Sequence, residues 1–140
     1  RSTPSNSSAA SDVYKRQVEV CSEVCELRRL NPWSREMFEG PVEIVDGDCF
    51  EYVRGRASES FDSIIHDPPR FSLAGELYSS GFYRELYRLL KHGGRLFHYT
   101  GTPYRRRGRR NFPAEVARRL TEAGFEVRPV PEKLGIAAKK

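Results

Sequence analysis

No apolar run in this sequence approaches the length a bilayer-spanning helix needs, which argues against a membrane-embedded helical protein. A hydrophobic leader is missing as well, so the cytoplasm is the default expectation. Cysteine is scarce: Cys21, Cys25 and Cys49 are an odd set without framework spacing, which argues against a disulfide-stapled secreted fold. Reduced, mostly buried thiols are expected instead. Cys21 and Cys25, with three residues between them on a helix, match no strong zinc pattern, so no metal site is expected. There is no internal repeat, and no GxGxG loop. What is present is a soluble globular composition, 38% hydrophobic and 31% charged, over 140 residues, one domain's worth of chain.

Residues 1–17 (RSTPSNSSAASDVYKRQ) are polar, rich in serine and without apolar periodicity, and so read as a disordered tail. Ser7 to Gln17 also resemble the in-frame translation of a sequencing-library adapter, which sets the segment apart from fold reasoning. The expectation is a natural sequence from Val18 onward whose own beginning is missing. Leaving out Arg1, Asp12, Lys15 and Arg16 lowers the net charge from +5 to +3. A charge that small says little about nucleic acid.

From Val18 the chain alternates between two periods. Val18-Glu19-Val20 reads as the end of a strand. Glu23 to Leu30 has helical character with Val24, Leu27 and Leu30 on one side, and Asn31-Pro32 stops it. Pro41 to Val45 is a short strand followed by Asp46-Gly47-Asp48, and Phe50 to Val53 a short helix. Phe61 to Ile65 is an apolar strand that suits burial between parallel neighbours. Ser79 or Ser80 caps a helix carrying Phe82, Leu86, Leu89 and Leu90, which Gly93-Gly94 should end. Arg95 to Tyr99 is a strand. Pro113 opens another helix with Val116 and Leu120 inward, closed by Gly124. Phe125 to Val130 and Leu134 to Ala138 are strands too close in sequence for a crossover helix, so they should be antiparallel. The predicted class is α/β: a mostly parallel sheet with an antiparallel C-terminal hairpin.

That pattern resembles the Rossmann-like class I S-adenosylmethionine-dependent methyltransferase fold, a seven-stranded sheet whose final strand runs backwards. The stretches NPWS (Asn31 to Ser34), Gly47-Asp48, HDPPRFSLAGELY (His66 to Tyr78), FYRELYRLLK (Phe82 to Lys91) and GRLFHYTGTP (Gly94 to Pro103) are similar to an uncharacterised, largely archaeal methyltransferase group. The resemblance places the first strand and its glycine-rich loop upstream of Val18, so the chain as given is expected to be about two-thirds of a domain and to bind cofactor poorly. It also implies that Glu19, at a strand end, accepts from the cofactor ribose hydroxyls. Asp48 would sit near the adenine amino group, with Cys49 and Phe50 lining the base. Without the resemblance, Asp46-Gly47-Asp48 is a turn and a helix cap.

Asp67-Pro68-Pro69-Arg70 ends an apolar strand, and ligands of open α/β sheets bind at such ends. Two prolines fix the backbone and remove two donors, which leaves a carbonyl and a carboxylate as acceptors. That pair can hold an amino group by its hydrogens and orient its lone pair. The segment resembles the DPPY motif of amino-methylating enzymes, with Arg70 where an aromatic residue usually stacks on a base and Phe71 next to it. His66 and His98 are candidate substrate contacts, although a lone histidine is more often structural. Arg105, Arg106 and Arg107, in a loop with Arg109 and Arg110, suit phosphate contacts or a solvated loop equally.

The expected function is methyl transfer from S-adenosylmethionine to an amino nitrogen, with RNA as a candidate acceptor. Two alternatives stay open. One is an aminopropyl transferase using decarboxylated S-adenosylmethionine, which the arginine loop disfavours. The other is a non-catalytic RNA-binding module, which the intact Asp67-Pro68-Pro69 segment disfavours.

Overall fold

The computed structural model describes residues 15–35, 39, 42–101 and 111–140. The chain divides into two compact units, Arg1–Tyr52 and Val53–Lys140. In the first, β1 (Lys15–Glu19) runs parallel to β2 (Val42–Asp46), with Val18 opposite Val45 and Glu19 opposite Asp46. Lys15, Arg16 and Gln17 therefore belong to a strand and not to a disordered tail. The ladder needs them, because β2 offers five pairing positions and Val18 and Glu19 fill only two. Arg16 adds an ion pair to Glu43, Nε to Oε2 2.9 Å. Residues 1–14 lie outside the described set.

Helix α1 (Ser22–Leu30) ends at Asn31, whose side chain accepts from the Trp33 amide as Pro32–Ser34 turns away. The inward side of α1 differs from the expected one: Cys25 is buried, whereas Leu27 and Leu30 are exposed. Arg28 Nη2 donates to Glu19 Oε2 at 3.0 Å, which places Arg28 on the β1 side of the helix. Helix α2 (Cys49–Arg54) follows β2.

The second unit is a four-stranded sheet in the order β3-β4-β6-β5, made of β3 (Phe61–His66), β4 (Leu90–Tyr99), β5 (Glu126–Val130) and β6 (Gly135–Lys139). β3 and β4 are parallel, and β6 is antiparallel to both of its neighbours. Register places Ile64, Leu96 and Ala138 in one row and His66, His98 and Ile136 in the next, all on one face. α3 (Ser80–Leu89) and α4 (Phe112–Glu122) close that face with buried Phe82, Tyr83, Leu86 and Leu89 from one helix and Val116 and Leu120 from the other. Each such side chain withdrawn from water stabilises the fold by about 1.5–3 kcal/mol before entropy is counted.

Local details follow from residue chemistry. Ser79 Oγ accepts from the Phe82 amide at 3.1 Å and caps α3, one of the two serines expected for the role. Gly93-Gly94 do not end that helix. It stops at Leu89, Leu90 is already extended, and Gly93 supplies a left-handed position (φ 75°) inside an irregular stretch of β4. Its amide donates to the Lys140 carbonyl at 3.0 Å. Ile65, expected to be buried on both sides, alternates to the sheet face opposite Ile64 and His66 and is 80% exposed.

Candidate active site

The first unit brings two of the expected cofactor carboxylates to adjacent strand ends. Glu19 closes β1, and its carbonyl accepts from the Gly47 amide at 3.0 Å, which ties it to the turn carrying Asp48. The Glu19 carboxylate accepts from the Cys21 amide (3.2 Å) and from Arg28 (3.0 Å). A carboxylate has about four lone-pair positions, so acceptor capacity for hydroxyl groups is left over. Asp48 Oδ1 accepts from the Glu51 amide at 2.9 Å, which makes it the cap of α2. Cys49 follows it, half-buried; burial first and the neighbouring Asp48 charge second push its thiol up to about 11, so it stays protonated.

The second unit carries Asp67-Pro68-Pro69-Arg70 immediately beyond β3. Asp67, Pro69 and Arg70 are exposed and Pro68 is half-buried. The Arg70 carbonyl accepts from the Leu73 amide (2.8 Å) and the Ala74 amide (3.2 Å), closing a turn after the prolines. The Pro69 carbonyl accepts from the Tyr78 hydroxyl at 2.8 Å. Among the described residues no hydrogen bond reaches the Asp67 carboxylate, which leaves it available to a ligand. Phe71 is 50% exposed, with its ring edge-on to Tyr78 and to Phe112 at centroid distances of 5.6 and 6.2 Å.

His66 and His98 behave differently from free substrate contacts. They face each other across the β3–β4 pair, rings T-shaped with centroids 4.6 Å apart. His98 is fully buried, and both of its nitrogens are occupied. Nδ1 lies 3.0 Å from the Tyr99 carbonyl, which requires a proton there, so Nε2 accepts from the Tyr83 hydroxyl at 2.9 Å. With no exposed atom and no spare nitrogen, His98 is held as a core residue where substrate contact was expected. His66 Nε2 donates to the Leu77 carbonyl at 3.0 Å. Burial lowers its basicity to about 4, and burial followed by the neighbouring His66 lowers that of His98 to about 3. Both rings are neutral at physiological pH. Arg105, Arg106 and Arg107 lie outside the described residues.

Tyr78 is the side chain that sequence reasoning passed over. It stands in the HDPPRFSLAGELY stretch, but its return to the Pro69 carbonyl depends on a 3-10 turn, Gly75–Tyr78, that no periodicity announces.

No family model matches the chain. An uncharacterised protein of Methanocaldococcus jannaschii is 44% identical over 137 residues, a match covering 94% of this chain and 48% of the relative. The similarity therefore extends into residues 1–17, and the chain spans about half the length of that curated relative. Among solved structures, a spermidine synthase in complex with a transition-state analogue superposes with a TM-score of 0.73 at 26% identity, over 91% of this chain and 46% of that one. PigF, solved with S-adenosylhomocysteine, gives 0.58 at 18% identity, over 94% and 44%. The antibiotic-resistance methyltransferase Kmr gives 0.53 at 18% identity, over 90% and 74%. The chain has the α/β, Rossmann-like fold of these proteins, with a mostly parallel sheet and an antiparallel hairpin.

Proposed function

We propose that this chain is part of an enzyme that moves a methyl group from S-adenosylmethionine to an amino nitrogen. The observation that supports it best is the segment after β3: an exposed Asp67 carboxylate followed by two prolines whose turn is fixed by backbone and side-chain hydrogen bonds. In this reading Asp67 and the Pro68 carbonyl accept the two amino hydrogens and orient the nitrogen lone pair. Asp67 also stabilises the positive charge that grows on nitrogen during transfer. Pro69 keeps the turn rigid, and Arg70 and Phe71 contact the rest of the acceptor. Glu19 and Asp48 would hold the cofactor, whose contribution when bound is an electrophilic methyl group. RNA is the acceptor class to test first, with Arg105, Arg106 and Arg107 as its phosphate contacts.

Titration calorimetry with S-adenosylmethionine, S-adenosylhomocysteine and decarboxylated S-adenosylmethionine tests the cofactor. Tritiated-methyl transfer into RNA and protein fractions tests the reaction. In the full-length protein Asp67→Ala should lower transfer by about a hundredfold while leaving cofactor affinity within a few-fold. Unchanged transfer in that variant would remove Asp67 from the reaction centre. A second reading, aminopropyl transfer, is favoured by one finding, the spermidine synthase similarity at 26% identity. Preferential binding of the decarboxylated cofactor would move the assignment there.

A further inference from the structure

We propose that Tyr78 is the positioning residue of the Asp67–Arg70 segment: its hydroxyl pins the Pro69 carbonyl and so leaves the Pro68 carbonyl and the Asp67 carboxylate as the acceptors that face a ligand. The proposal rests on the methyl-transfer reading above for its functional consequence, but its structural content stands alone. A proline pair fixes two φ angles and says nothing about where the next peptide plane points. Here that plane is set by the 2.8 Å bond from Tyr78, a residue nine positions further along.

Tyr78 is itself held from every side. It is 4% exposed, with its ring packed against Phe112 at 5.3 Å, His98 at 5.5 Å and Phe71 at 5.6 Å. Its own carbonyl accepts from Arg119 Nη1 of α4 at 2.9 Å, and the preceding carbonyl, that of Leu77, accepts from His66 at 3.0 Å. The turn bearing Tyr78 is thus fastened to the residue just before Asp67 and to α4, and through its phenol to the segment's third residue. Burial, and after it the Asp67 carboxylate, raise the phenol's pKa, which keeps the hydroxyl protonated and able to donate. Removing one hydroxyl from this arrangement should loosen the segment without removing any packed atom of the ring.

The test is Tyr78→Phe in the full-length protein of which this chain is a part, read three ways. Amide exchange of Leu73 and Ala74, which bond to Arg70, should quicken by about tenfold, and the Pro69 carbonyl carbon resonance should move. S-adenosylmethionine affinity should stay within about twofold, while methyl transfer at saturating cofactor falls by about tenfold or more. Replacing Tyr78 by p-aminophenylalanine, which restores a donor, should recover most of the rate. If Tyr78→Phe transfers methyl groups like the parent while Asp67→Ala does not, the proposal is wrong. If the parent transfers none, the enzymatic reading fails on its own, and exchange then decides the brace: unchanged protection of Leu73 and Ala74 overturns it, faster exchange upholds it.

Discussion

The two histidines of the second unit are stored neutral beneath a layer of aromatic rings, and that has a thermodynamic signature. His66 touches Phe82, Tyr78, Tyr83 and His98, and His98 touches Tyr78 and Tyr83. An unfolded histidine titrates near pH 6.5, whereas these two titrate at about 4 and about 3 when folded. Between those values the unfolded chain binds more protons than the folded one, so stability rises with pH and is complete above about 6.5. It should fall progressively as the pH drops from about 6.5 toward 4. Thermal melts from pH 7.5 to 4.5 check this. His98→Gln can still accept from Tyr83 through its amide oxygen and removes one of the two titrating rings, so it should roughly halve the decline. An undiminished decline in that variant would place the acid sensitivity elsewhere.

At the level of elements, the hairpin of β5 and β6 depends on one small residue. A Cβ at Gly135 would stand 2.5 Å from Phe97 Cζ and 2.7 Å from the His98 carbonyl oxygen. The ring can swing away, but the carbonyl belongs to β4, whose ladder fixes Tyr99 opposite Gly135. Gly135→Ala should therefore cost about 1–3 kcal/mol, measured by denaturant unfolding, with β6 losing amide protection first. The sequence showed the hairpin, because three or four residues cannot house a crossover helix. It could not show this contact, which depends on register. The same division holds elsewhere. The apolar spacing of Phe82, Leu86 and Leu89 was legible because water exclusion sets it. The inward side of α1 was not, because a short apolar spacing does not say which neighbours pack on the helix: Cys25 is buried while Leu27 and Leu30 are exposed. Asp67 could be singled out because two prolines mark its place, whereas Tyr78 has no such marker and emerges only when the chain folds back on it.

For the whole molecule, burial is distributed unevenly between its two units. Tyr83, Phe82, Leu89, Leu90, Leu96, Leu120, Ile136, His98 and Val116 are the largest fully buried side chains, and every one lies beyond Tyr52. Among the described residues up to Tyr52, the buried apolar set consists of Cys25 alone. Two parallel strands with so little covered surface are marginal in water, since a stable sheet usually needs a third strand or a well-packed face. Local opening free energies follow buried apolar contact, so native-state amide exchange should separate the two units. The amides of β4, β6 and α4 should exchange only through global unfolding, and those of β1 and β2 through openings that cost several kcal/mol less. Adding S-adenosylmethionine should slow β1 and β2 in proportion to its affinity, because a ligand bound by Glu19 and Asp48 stabilises the state that presents them. Equal protection of both units without ligand would show that the stability of the first is not governed by the burial within it. A ligand effect confined to β3 and β4 would assign the cofactor to other residues.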